Sequence, residues 1–149
     1  MRDRDVRNAI QAAMIATNAF DLGAVWMWAE DQGTPASQSA AAMITPMSSR
    51  QEDLWDSAPG GGLLITSLVK IEVAYRGEDA QTRDEGAELL LDTTANALNG
   101  QSLGGLILPQ TARMQGWNWQ ETITPERRIQ ATFSYQYIVE GWDSYDTTP

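Results

Sequence analysis

The sequence predicts an α+β fold: a mainly antiparallel sheet of about four strands, two helices packed on it, and a long loop rich in Ala, Ser and Pro. Three observations predict it. Residues 63–75 alternate, with Val69, Ile71, Val73 and Tyr75 on one face and Lys70, Glu72 and Ala74 on the other. Residues 127–139 alternate in the same way, Ile129, Ala131, Phe133, Tyr135, Tyr137 and Val139 against Gln130, Thr132, Ser134 and Gln136. Between them, Ala87, Leu90, Leu91, Thr94, Ala95 and Leu98 fall at helical spacing. Single-sided strands beside amphipathic helices make one shared core, and 149 residues with 42% hydrophobic content are enough for a single domain to bury it.

In chain order, residues 5–20 read as a helix, with Val6, Ile10, Ala13 and Met14 on one face. Residues 24–30 read as a short strand that places Trp26 and Trp28 together, and Val25 and Met27 opposite. Residues 32–62, with Pro35, Pro46, Pro59 and three consecutive glycines, read as a long excursion with at most one helical turn near 49–55. Its Met43, Ile44, Met47, Leu54 and Trp55 are out of place in a solvated linker, so the excursion is expected to be a mobile arm that orders against a partner. After the strand at 63–75, residues 77–83 turn. The helix over 86–98 has acidic residues early and Asn99-Gly100 as a left-handed stop. Strands at 112–123 and 127–139 form a hairpin through Thr124-Pro125-Glu126, and 141–149 has no period.

Composition narrows the chemistry. No cysteine and no histidine are present, which removes disulfides, thiolate ligands and the usual nucleophile systems. Lys70 is the single lysine, and the net charge of −10, concentrated in residues 77–149, repels phosphate backbones. No apolar run approaches the roughly 18 residues of a membrane span. Carboxylates are the catalytic option that remains, as Glu52-Asp53 with Asp56 or Asp84-Glu85 with Glu88, and both sets read better as solvated surface. Asp143 and Asp146 lack the ligand pattern of a calcium loop. Trp26 with Trp28, and Trp117 with Trp119, place two indoles on one strand face, which suits core or subunit contact better than sugar or base stacking. The residues therefore point to no catalytic, cofactor or metal site.

The order helix, strand, long loop, long strand, acidic turn, helix ending in Leu-Asn-Gly, and hairpin with an aromatic last strand resembles the tail terminator (tail completion) proteins of long-tailed bacteriophages. The stretches that carry the resemblance are LVKIEVAY (68–75), LLLDTTANALNGQSLGG (89–105) and IQATFSYQY (129–137). The Ala/Ser/Pro-rich insert before the long strand departs from it. The resemblance implies a structural virion protein of the tail or neck, assembled in the host cytoplasm. It would form a homo-oligomeric ring, hexameric, that caps the tail tube, stops its polymerisation and contacts a neck or head-completion protein. Another head-to-tail joining protein fits nearly as well, and a carboxylate hydrolase or glycan-binding module is the alternative of a different class. Within a ring, Trp26, Trp28, Met43, Met47, Leu54 and Trp55 are expected at interfaces. Glu72, Gln130, Thr132, Ser134 and Gln136 are expected on the channel side, where like charge lets DNA pass without specific binding.

Overall fold

A computed structural model describes residues 2–27, 39–54, 62–120 and 125–139. In chain order the elements are α1 (Arg2–Ala16), β1 (Val25–Met27), β2 (Ala40–Leu54), β3 (Gly62–Arg76), α2 (Ala80–Leu98), β4 (Arg113–Trp119) and β5 (Glu126–Val139). The strands form a five-stranded sheet in the order β1-β2-β3-β5-β4. β1 runs parallel to β2, and every other pairing is antiparallel. The architecture is α+β with a mainly antiparallel sheet, as the sequence predicts, with one strand more.

That additional strand corrects the reading of residues 32–62 as a loop. Residues 40–54 are β2, fifteen residues paired along their length with β3 from Ala40↔Tyr75 to Leu54↔Gly62. No helical turn forms at 49–54, and this part of the expected mobile arm is built into the sheet. Two features hid it. Ala40-Ala41-Ala42 lacks the β-branched residues that mark a strand, and Pro46 reads as a breaker. The alanines fit because the chain packs closely there: Ala42 N–H donates to Ala24 O at 2.9 Å, and Ala40, Ala41 and Ala42 are buried. Pro46 fits because it lies beside a bulge, where the register shifts between Pro46 and Ser48, and beyond the stretch that β1 covers.

Both helices lie on one face of the sheet, and the core is between them. Val6, Ile10 and Met14 of α1 and Ala87, Leu90, Leu91 and Leu98 of α2 meet Ile65, Val69, Ile71 and Val73 of β3 and the inward row of β5. Val73, Phe133 and Leu91 share this core, as the alternation requires. Phe133, Tyr135 and Tyr137 are the bulkiest side chains in it, and each is almost fully buried. Gly86 lets α2 approach: a Cβ there would collide with the ring of Tyr75.

α2 begins at Ala80, six residues before the start expected from its apolar spacing. Asp79 is its N-cap, accepting from Thr82 N–H at 2.8 Å. The segment 80–86 is polar or small throughout, so it carries no periodic signal. The helix ends as anticipated at Asn99-Gly100, with Gly100 the left-handed residue at φ +76° and Asn99 itself extended. α1 stops at Ala16 rather than near Phe20, since the Thr17 hydroxyl turns back to Met14 O at 2.6 Å and Asn18 is left-handed.

Candidate functional site: two sheet edges and an open face

The face of the sheet opposite the helices is uncovered by any described helix. Strand alternation places Lys70, Glu72, Arg128, Gln130, Thr132, Ser134 and Gln136 on it, so the five residues expected on a channel side are brought together. Glu72 sits directly opposite Gln130, and Gln136 Nε2 donates to Thr66 Oγ1 at 3.1 Å. The face is not an acidic wall, which corrects the electrostatic part of the expectation. Glu72 pairs with Arg128 at 2.9 Å, Arg128 also binds the buried Glu126, and Arg50 and Arg113 stand in the same rows. Burial alone would lower the Arg128 pKa. Glu126 and Glu72 outweigh it and hold the guanidinium above its ordinary value, so it stays charged.

Among the residues expected at interfaces, Trp26 and Met43 face this side in register. Met43 is buried, and Trp26 is half-buried beside Ala41, Met43 and Ala74, so much of their surface is already used inside the subunit. Met47, at the β2 bulge, is 52% exposed. Trp28, Trp55 and the side chain of Leu54 lie outside the described residues, as do Asp56, Asp143, Asp146 and the segment 141–149.

The other indole pair lines a groove. β4 carries a bulge between Met114 and Gly116, and this extra residue puts Met114, Trp117 and Trp119 all on the helix side. With Glu88, Leu91, Asp92, Ala95 and Asn99 of the α2 segment they bound a volume of about 320 Å³. One end is pinned. The Arg127 guanidinium lies 4.6 Å from the Trp119 ring centre, and its Nε is 3.2 Å from Asp84 Oδ1. Asn99 Oδ1 accepts from Met114 N–H at 2.7 Å, tying the end of α2 to the start of β4. Trp117 is left 60% exposed, above two carboxylates that face the same space.

Sequence reasoning missed a buried polar cluster. Asp3 lies on the inward face of α1, and its Oδ1 accepts from Ser67 Oγ at 2.9 Å and Tyr135 OH at 2.8 Å. Its Oδ2 accepts from Ser49 Oγ at 3.1 Å. Burial, then the Asp3 charge and hydrogen bond, push the Tyr135 phenol far above its usual range, so it remains a neutral donor. The cluster clamps α1 to β2, β3 and β5. Its signal was available: Asp3 precedes Val6, Ile10 and Met14 at helical spacing, and Ser67 falls on the apolar row of β3.

Of the acidic sets, Asp56 and the Asp53 side chain lie outside the described residues, and the described members are each engaged separately or exposed. Asp84 is held by Arg127, Glu85 accepts from Gln81, and Glu52 is exposed beside Arg50. Among the described residues no group of three or more carboxylates could hold a metal ion, and no helix is long and apolar enough to cross a membrane.

No protein-family model matches the sequence, and no curated protein matches it. Among solved structures, the chain is similar to one in a structure titled "Virion of native gene transfer agent (GTA) particle", with 19% identity over 88% of this chain and 96% of that chain, at a TM-score of 0.37.

Proposed function

We propose that this chain is a structural protein of a phage-type particle that assembles as a ring, hexameric, to cap the tail tube, stop its polymerisation and join it to the neck or head. The order of elements carries this reading: α1, the short β1, β2, the long β3 into the acidic turn, α2 closed by Asn99-Gly100, and a hairpin ending in the aromatic β5. Apart from β2, which stands where that resemblance has a long loop, this is the order on which the resemblance to tail terminator proteins rests. The surfaces support it. Exposed large apolar groups, Met47 on β2 and Trp117 on β4, are at opposite sides of one sheet, as a subunit with a neighbour on each side requires. Such a role works by contact and needs no reacting group.

The neutral Gln130, Thr132 and Gln136 row is the proposed channel side; Arg128 beside it is committed to Glu72 and Glu126, while Lys70, Arg50 and Arg113 stand in neighbouring rows of the same face. Mixing the purified protein with growing tail tubes and imaging the products tests the function. Sixfold rings seated on tubes of limited length are expected. A twelvefold ring without effect on tube growth would assign the chain to another joining role, and a monomer that leaves the tubes unchanged would overturn the reading.

A further inference from the structure

We infer that the Trp117/Trp119 groove is the socket for a second copy of this chain, which inserts the part of its β2 around Met47 and Arg50. The inference rests on the ring reading and names the surfaces that would close it. Four observations carry it.

First, the two surfaces lie at opposite sides of the sheet. β4 is one edge strand, and on the other side β1 pairs β2 only through Ala42, Met43 and Ile44, so β2 from Thr45 onward has no further described strand beside it. Second, the chemistry is complementary. The groove offers two indoles with Glu88 and Asp92, which suits a cation on an apolar stem. The β2 half offers Met47, 52% exposed, and Arg50, whose side chain is 71% exposed. Among the described residues Arg50 has one ion pair, with Glu52 at 3.5 Å; exposed pairs of this kind are worth little and are readily exchanged. Third, neither surface complements itself. Two grooves face to face would oppose four carboxylates, which argues against a two-fold contact through the socket. Contact between different patches is the kind that propagates head to tail and closes when the rotation allows. Fourth, the socket is preformed: Arg127 and Asp84 brace Trp119, and Asn99 fixes the start of β4, so little ordering is needed on docking. Because Arg50 is in a row on the open face and the indoles are on the helix face, adjacent subunits would overlap like tiles.

The chain has no cysteine, so introduced thiols report one contact at a time. The test combines Met47→Cys with Trp117→Cys in the full chain, oxidises at assembly concentration, and measures mass under denaturing conditions, with each single variant as control. A ladder of linked subunits from the double variant, and at most slight dimer from either single variant, is the expected result. In parallel, Glu88→Arg with Asp92→Arg should weaken self-association by about tenfold or more, and adding Arg50→Glu should restore part of it. Circular dichroism verifies that each variant folds. If the wild type forms rings but the double variant yields no ladder, and charge reversal leaves the ring intact, the socket assignment fails while the ring reading stands. Efficient dimer from Trp117→Cys alone would also overturn it, since that is a two-fold contact. A wild type that is monomeric at every concentration would overturn both.

Discussion

β3 and β5 present two faces built from alternate residues of the same strands, and the two faces differ in what they ask of the sequence. The helix side is an apolar row, Ile65, Val69, Ile71 and Val73 against Ile129, Ala131, Phe133, Tyr135 and Tyr137, interrupted by Ser67 at the Asp3 cluster and closed by α1 and α2. The open side is mixed, with amides, hydroxyls and the Glu72–Arg128 ion pair beside Leu64, Leu68 and Ile138. Burial decides the first, and every residue in it is constrained by volume. Contact with whatever lies outside decides the second. The fold is therefore written on the helix face, while the proposed assembly would use the other face and the edges.

The comparison is most easily broken at the centre of the buried row. Phe133→Ala should lose about 3–5 kcal/mol of unfolding free energy in denaturant titration, because the ring is fully enclosed and the helices can collapse only partly onto the void. Asp3→Ala should lose roughly 2–3 kcal/mol, since it leaves three hydroxyl donors without their acceptor. A loss as small as that of an exposed substitution would mean that the clamp is not formed. Gly86→Ala should lose about 1–2 kcal/mol despite alanine's better helix propensity, because the new methyl meets the Tyr75 ring. On the open face, Gln130→Ala and Thr132→Ala should change stability by no more than about 0.5 kcal/mol. A large loss there would erase the distinction between the faces.

The smallest expected effect concerns pH. Backbone and hydroxyl hydrogen bonds from Thr82 hold the Asp79 carboxyl below its ordinary value of 3.8. Its contribution to α2 is therefore present above that value and is lost as pH falls through the lower, folded-state pKa. The stability gap between wild type and Asp79→Ala, measured by thermal melting, should be steady near neutral pH and close in strong acid. A gap that widens in acid would contradict the assignment of Asp79 as the cap.

Much of the sheet was legible because its two longest alternating strands are each buried on one side, which forces period-two patterning. β2 was not legible, because its first residues are alanines accommodated by close packing and its proline is tolerated beside a bulge. The first two turns of α2 were hidden since no core lies under 80–86. The pairing of Trp117 with Trp119 could be read, but their side of the sheet could not, because a bulge in β4 resets the alternation. Glu72 was placed on the correct face with its partner unseen, because Arg128 lies 56 residues away in sequence. Non-local ion pairs leave no periodic trace.

The proposed assembly joins copies of this chain across the two sides of its sheet. Sedimentation of the wild-type protein over a wide range of concentration, with and without tail tubes, tests it most directly. A closed species of defined mass, stabilised by the tubes and lost in the Glu88→Arg, Asp92→Arg variant, is expected. A single monomeric species under all these conditions would contradict it.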